Sequence, residues 1–269
     1  MCIRDSANSL LGARTNREGA PSALAAALTG KTPQYGLHLD ANRKGCYLVD
    51  VRAPLDCAAD YGALGILVGR TAKMRVPVFT GIRDRKREWL KSLGAAMGAS
   101  GAVSLYHVKG VTPEWPLENK ARSMWLEGRP EEVVTVDQGQ LKEAYSSLTT
   151  TRIDVPDLAF VGCPHCSISE TEQVAKLMEG RRVKRDKRFW LCTSRHVKAE
   201  ADRKGLTARL ERAGVEVFCD TCIIVTWLRE AGIDSVATNS AKAANYAPEL
   251  CKVEVEFNSL AEIVKKVTR

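Results

Sequence analysis

The sequence predicts an α/β fold of mainly parallel sheets flanked by helices, arranged as two lobes. Three observations predict it. Short apolar runs alternate with amphipathic segments along nearly the whole chain, the pattern of repeated βαβ units. The helical segments stop at residues that cannot continue a helix cheaply, such as Gly214, Gly232 and Pro248. Several apolar runs also end in sulfur or polar residues, above all Phe160-Val161-Gly162-Cys163-Pro164-His165-Cys166-Ser167 and Phe218-Cys219-Asp220-Thr221-Cys222. In an α/β domain such a junction is the carboxyl end of a strand, where ligands gather.

The bulk numbers agree. A chain of 269 residues can bury a sizeable core in one or two domains, and 45% hydrophobic with 27% charged residues is ordinary globular composition. No apolar run reaches the roughly 20 residues that span a bilayer. None has the order of a secretory leader, so the cytoplasm is the expected compartment. Net charge is +8, concentrated in Arg83-Asp84-Arg85-Lys86-Arg87 and in the run from Arg181 to Arg188. Such clusters read as nucleic-acid binding, as steering of an anionic substrate, or as solvated surface. Neither interleaves aromatics as a single-strand binder does.

Met1-Cys2-Ile3-Arg4-Asp5-Ser6 does not match the residues after it in character and reads as a translated cloning scar, which makes residues 7–150 a first lobe truncated at its start. Residues 8–22 are small, polar and basic, and a short helix at 23–28 comes after Pro21-Ser22. Alternation then begins: strand 45–51, helix 57–72, buried strand 76–80, and helix 84–97 with Trp89, Leu90 and Leu93 as its apolar residues. Strand 103–108 ends at His107-Val108, and strand 133–136 precedes helix 138–148. The polar, Pro-containing stretch 149–157 is the expected boundary before a second lobe at 158–269. That lobe reads as strands 158–162, 189–193, 215–218, 235–238 and 253–257. Its helices are 170–178, 196–212, 224–230, 241–246 and 260–267.

Four strand ends of the second lobe would share one edge: Cys163-Pro164-His165-Cys166-Ser167, Cys192-Thr193-Ser194-Arg195, Asp220-Thr221-Cys222 and Thr238-Asn239-Ser240-Ala241-Lys242. Nine cysteines are too few for a disulfide scaffold of this size, so the two Cys-x-x-Cys pairs read as metal or redox chemistry. The readings are a structural zinc on four thiolates, a thiol–disulfide pair at Cys163 and Cys166, an iron–sulfur cluster on three cysteines, or plain buried thiols. Cys46, Cys57 and Cys251 read as the last of these. His165 is either packed or chemical, and His107 is placed where it could face the same crevice. Lys242 comes after a helix start and suits a phosphate or carboxylate, or else is a solvated helix residue. Arg14, among small residues, either forks onto an anion or holds loop carbonyls.

Five stretches occur in an order that resembles the catalytic domain of aconitase X. They are Ala7-Asn8-Ser9-Leu10-Leu11-Gly12-Ala13-Arg14-Thr15-Asn16-Arg17-Glu18-Gly19, Gly162 to Ser167, Cys192 to Arg195, Asp220 to Cys222, and Thr238 to Ala244. The resemblance covers residues 7–269. It implies an aconitase-like α/β architecture and a hydro-lyase working as the large subunit of a heterodimer. A small swivelling-domain subunit would supply the catalytic serine, so no catalytic residue is expected in this chain. The resemblance further implies an iron–sulfur cluster, [4Fe-4S], on three cysteines. Two match Cys163 and Cys222; the third would lie upstream of the Asn8–Arg14 motif, and Cys2 is not taken for it. The family's substrate-contacting lysine matches Lys242, with Ser240 and Arg14 the other substrate-binding candidates. The wording of the Cys-Pro-His-Cys and Cys-Thr-Ser-Arg motifs resembles the branch that dehydrates (R)-5-phosphomevalonate to trans-anhydromevalonate 5-phosphate in isoprenoid synthesis. The alternative within the family is dehydration of cis-3-hydroxy-L-proline. A zinc-stapled nucleic-acid-binding protein is the alternative of another class. On the leading reading the partners are the small subunit and an anionic small molecule, with no nucleic acid and no membrane.

Overall fold

The computed structural model describes residues 6–115 and 132–269. Most of the expected scar, with Cys2, lies outside the described residues. Two short helices open the chain, α1 (Ala7–Leu11) and α2 (Ala20–Thr29). The first sheet is built of β1 (Tyr47–Val51), β2 (Pro77–Thr80), β3 (His107–Val108) and β4 (Glu132–Val136), ordered β3-β2-β1-β4 with every pair parallel. Its helices are α3 (Ala58–Ala72), α4 (Arg87–Gly101) and α5 (Gln138–Ser147). The second sheet contains β5 (Leu158–Cys166), β6 (Arg188–Thr193), β7 (Val215–Cys219), β8 (Ser235–Thr238) and β9 (Glu254–Phe257). It is also wholly parallel, in the order β7-β6-β5-β8-β9. Around it lie α6 (Ile168–Leu177), α7 (Arg195–Arg203), α8 (Leu206–Arg212), α9 (Ala241–Leu250) and α10 (Leu260–Val267). The expected α/β architecture of two mainly parallel sheets flanked by helices is therefore present.

Both faces of the second sheet are covered, and β5 shows it residue by residue. Leu158 and Phe160 pack in a core shared with the first sheet, whereas Ala159 and Val161 pack in a second core with α6, α8 and α10. That is the two-residue alternation of a strand buried on both sides. The shared core runs from Tyr47 of β1 to Phe257 of β9, so the two sheets are joined by continuous apolar packing.

Helices α3 and α4 approach closely because glycines line their contact. A Cβ at Gly65 would stand 2.6 Å from the Leu93 carbonyl oxygen and 2.7 Å from Ala96 Cβ. One at Gly101 would stand 1.8 Å from the Gly69 carbonyl oxygen. Gly62 plays the same part between lobes, since a Cβ there would meet Ala241 Cβ of α9 at 2.8 Å. Among the described residues no helix is long and apolar enough to cross a membrane.

Several elements depart from expectation for visible reasons. The helix expected over 196–212 is two, broken at Gly205, which takes the left-handed φ of 68°. The helix expected over 224–230 is only a 3-10 turn, Ile223–Val225. Burial of Ile223 and Leu228, five residues apart, does not suit one helical face. Helix α9 runs past Tyr246 through Pro248, because burial of Ala241, Ala243, Ala244 and Ala247 offsets the one backbone bond that proline removes. Strand 103–108 pairs only at its last two residues, and strand 158–162 instead extends to Cys166. The helix Ala7–Leu11 was not expected.

The helix contact is testable. Gly65→Ala is expected to destabilise the fold by about 1–3 kcal/mol through overpacking. The change would be read as a lower urea midpoint at unchanged slope. An unchanged midpoint would show that the two helices have room to spare.

Candidate active site

The second sheet winds outward from β5 through β6 to β7, then returns to the other side of β5 as β8 and β9. The winding therefore reverses between β5 and β8, where the loops leaving the two strands part and open a crevice. Past Phe160, paired with Thr238, β5 bulges: its register with β6 shifts between Val161 and Cys166. Gly162 permits this, because its φ is 111° and a Cβ would lie 2.1 Å from the Cys192 carbonyl oxygen. Ser240, buried at the head of α9, donates its hydroxyl to the Cys163 carbonyl and accepts the Ala243 amide at 3.0 Å.

The bulge brings Cys163 to Cys222, and the two thiols hydrogen-bond to each other. Cys222 is held down to about 6, first by that bond from Cys163 and against the opposing effect of burial. The Ile224 amide and the positive fields of Lys242 and His165 lower it further. His165 joins its ring Nε2 to the Thr221 carbonyl at 2.7 Å, pinning the residue next to Cys222. Thus Cys163, Cys222, His165 and half-buried Lys242 form one cluster at the carboxyl edge.

A cavity of about 440 Å³ opens from this edge toward the first lobe. Gly162, Cys163, Pro164, Asn239 and Ser240 form its second-lobe wall. The segments after β1 and β2 face them, with Asp56, Cys57, Glu88, Trp89 and Lys91. Both sheets thus turn carboxyl ends into one cleft. Hydrophobic pattern and cysteine spacing do not single out Lys91, Glu170 or Glu88. The Ser167-x-x-Glu170 spacing of a helix capping box is a signal available for one of them, and the structure forms that box.

Other candidates are placed elsewhere. Arg14 pairs with Asp40 and reaches the His38 carbonyl at 3.3 Å, away from the residues lining the cleft. It does what the plainer reading of a loop-holding arginine expects. His107 does not face the crevice: it is fully buried, bonded to the Arg43 carbonyl at 2.9 Å, and burial lowers it to about 4. Arg195 pairs with Asp220 at 2.5 Å.

The paired Cys-x-x-Cys motifs do not act as pairs. Cys163 faces the shared core and Cys166 the opposite one, where burial raises its thiol well above the ordinary value. The thiol that Cys163 meets is Cys222, across the edge, whereas the thiol–disulfide reading pairs Cys163 with Cys166. The expected iron–sulfur cluster is corrected as well. Among the described residues, no three His, Cys, Asp or Glu side chains come together in a set able to hold a metal ion. The same finding removes the zinc staple. Cys163 and Cys222 meet as a hydrogen-bonded thiol pair, whereas a cluster or structural zinc needs a fuller set of converging thiolates.

Comparison with known proteins bears on the whole chain. The family model for the aconitase X third domain matches residues 156–269, that for the second domain residues 45–146, and that for the first domain residues 6–41. The phosphomevalonate dehydratase large subunit of Methanocaldococcus jannaschii is 44% identical over 266 residues, covering 96% of this chain and 64% of that protein. Its counterpart from Methanothermobacter thermautotrophicus is 44% identical over 262 residues, covering 96% and 62%. The cis-3-hydroxy-L-proline dehydratase of Pseudomonas aeruginosa is 37% identical over 265 residues, covering 96% and 45%. The crystal structure of holo-form aconitase X from Thermococcus kodakaraensis superposes with a TM-score of 0.88 at 39% identity, over 99% of this chain and 66% of that one. The chain thus spans slightly under two thirds of the length of these large-subunit relatives.

The thiol pair has a pH signature. With Cys222 held near 6, its alkylation by iodoacetamide is expected to rise through that pH and level off by neutrality. In Cys163→Ala the midpoint should move up toward the ordinary thiol value of about 8.5, because the donor to the thiolate is gone. Coincident midpoints in the two proteins would show that Cys163 donates nothing to Cys222.

Proposed function

The chain belongs to the aconitase X family, and from that premise we propose that it is large-subunit material of a hydro-lyase dehydrating 5-phosphomevalonate. The observation that carries the substrate is the identity gradient. Four archaeal phosphomevalonate dehydratase large subunits match at 43–44% over 89–97% of the chain and a fifth at 34%, against 37% and 36% for two hydroxyproline dehydratases. The geometry supports a dehydratase edge of this kind, for a cation, a low-lying thiol and a helix start converge where the second sheet reverses.

Elimination of water removes a hydroxyl and a neighbouring proton, so a donor to the first and an acceptor for the second must flank the substrate. This chain supplies the binding side. Lys242 offers a point charge to an anionic end at the amino-terminus of α9, whose dipole adds to it. At the edge, His165 is bonded to the Thr221 carbonyl, Glu170 to Lys91 and Glu88 to Ser169. A proton acceptor delivered by a small swivelling-domain subunit in a heterodimer fits that pattern. Cysteines that form no disulfide at 163, 166, 192 and 222 suit a reducing cytoplasm.

The test is an elimination assay on the chain co-expressed with its small subunit. Water loss measured by NMR is expected from 5-phosphomevalonate and not from cis-3-hydroxy-L-proline; the reverse preference would overturn the substrate. Lys242→Ala should lower kcat/KM for the phosphorylated substrate by about 100-fold, the scale of a lost charge-assisted contact. A matching loss on mevalonate itself would remove the phosphate from Lys242.

A further inference from the structure

The Cys163-Pro164-His165-Cys166 turn belongs to the second lobe, yet the first lobe grips its backbone. Lys91 of α4 crosses the cleft and donates its ammonium to the His165 carbonyl at 2.9 Å and to Glu170 Oε2 at 2.5 Å. The same Glu170 oxygen accepts the Ser167 amide at 2.8 Å, closing the start of α6. Three residues earlier on the same face of α4, Glu88 accepts the Ser169 hydroxyl at 2.6 Å and the Ser167 hydroxyl at 3.3 Å. An anion and a cation of one helix thus meet the first turn of another, and the cation continues to the carbonyl of the turn itself.

We propose that Lys91 is a positioning residue for the Cys163–Cys222 thiol pair. By fixing the His165 carbonyl it fixes the ring that holds the Thr221 carbonyl at 2.7 Å, and Thr221 carries Cys222. The sequence of contacts is Lys91, His165 backbone, His165 ring, Thr221 backbone, Cys222. An ordinary salt bridge across the cleft would need only the Glu170 contact. The second contact, to a carbonyl within the turn, ties the docking of the lobes to the spacing of the sulfurs. Both side chains of the ion pair are about one-fifth exposed, 20% and 23%, so solvent screens the charge only in part. The proposal rests on the dehydratase reading only for its meaning in catalysis; the contacts stand without it.

Disulfide trapping tests it on the chain alone. Diamide takes two electrons and two protons from a dithiol and is reduced to the hydrazine, joining Cys163 Sγ to Cys222 Sγ. The bond is monitored by peptide mapping against time. Lys91→Met should slow trapping about tenfold, as a misplaced reacting pair does, and Lys91→Arg should bring it back to within about threefold of the parent. Alkylation of Cys46, far from the turn in sequence, serves as the control for general loosening and should not change. An unchanged or faster trapping rate in Lys91→Met, or a rise in Cys46 alkylation that matches the trapping change, overturns the proposal. Should Lys91→Met not fold, Glu170→Gln keeps an acceptor for the Ser167 amide while removing the charge that anchors Lys91. It should slow trapping severalfold, and parental rates there overturn the proposal. No substrate or partner enters the assay, so its failure is separate from failure of the dehydratase reading.

Discussion

One buried hydroxyl ties the site together. Ser240 uses both of its hydrogen-bonding functions, donating to the Cys163 carbonyl and accepting from the Ala243 amide. The first bond fastens the end of β5 across the crevice that opens as β5 and β8 diverge. The second caps α9, the helix that carries Lys242 and presses Ala241 toward Gly62 of α3. Thiol, cation and first lobe are therefore referenced to a single side chain that is only 4% exposed. Leaving a buried carbonyl and a buried amide unpaired costs about 1–3 kcal/mol each. The arrangement is accordingly stiff at the carboxyl edge of the second sheet.

Much of the frame was legible because parallel strands buried on both faces leave unbroken apolar runs, and glycine or proline marks their ends. Ser235–Thr238 and Leu260–Val267 were legible to the residue. What the pattern missed was decided by tertiary packing. The helix through Pro248 survives on a buried alanine face, although the proline alone would end it. The break at Gly205 lies inside a segment whose hydrophobic spacing stays helical on both sides. At the site, the meeting of Cys163 with Cys222 comes from the bulge in β5 and the turn after β7 at the carboxyl edge of one parallel sheet, which cysteine spacing does not show. The expectation that paired cysteines would gather one metal did not survive strand geometry. The two sulfurs of the first motif point to opposite cores, and among the described residues no third ligand joins Cys163 and Cys222.

The charges at the edge work together more than singly. A buried or half-buried thiol is normally raised by desolvation, as at Cys166, Cys219 and Cys57. Cys222 alone of these goes down: Cys57 also has backbone amides and Cys219 also has two positive fields, whereas the first cause at Cys222 is the hydrogen bond from the Cys163 thiol. The contrast within one protein separates the causes: burial is common to all four, so the direction at Cys222 comes from its partners. Arg195 shows the opposite case, a cation on the same edge already neutralised by Asp220.

The cleft belongs to neither lobe by itself, and this has a mechanical consequence. Its first-lobe wall is α4 and the loop before α3, helices held together without intervening side chains at Gly65, Gly69 and Gly101. Its second-lobe wall is the bulge of β5 and the head of α9. Close-packed helices transmit displacement instead of absorbing it. A shift of α3 and α4 would carry Glu88 and Lys91 with it; both are bonded to the start of α6, and Lys91 also to the turn that bears Cys163. The width of the cleft and the seating of the thiols are for this reason one variable. A partner or substrate that engages either lobe acts on both.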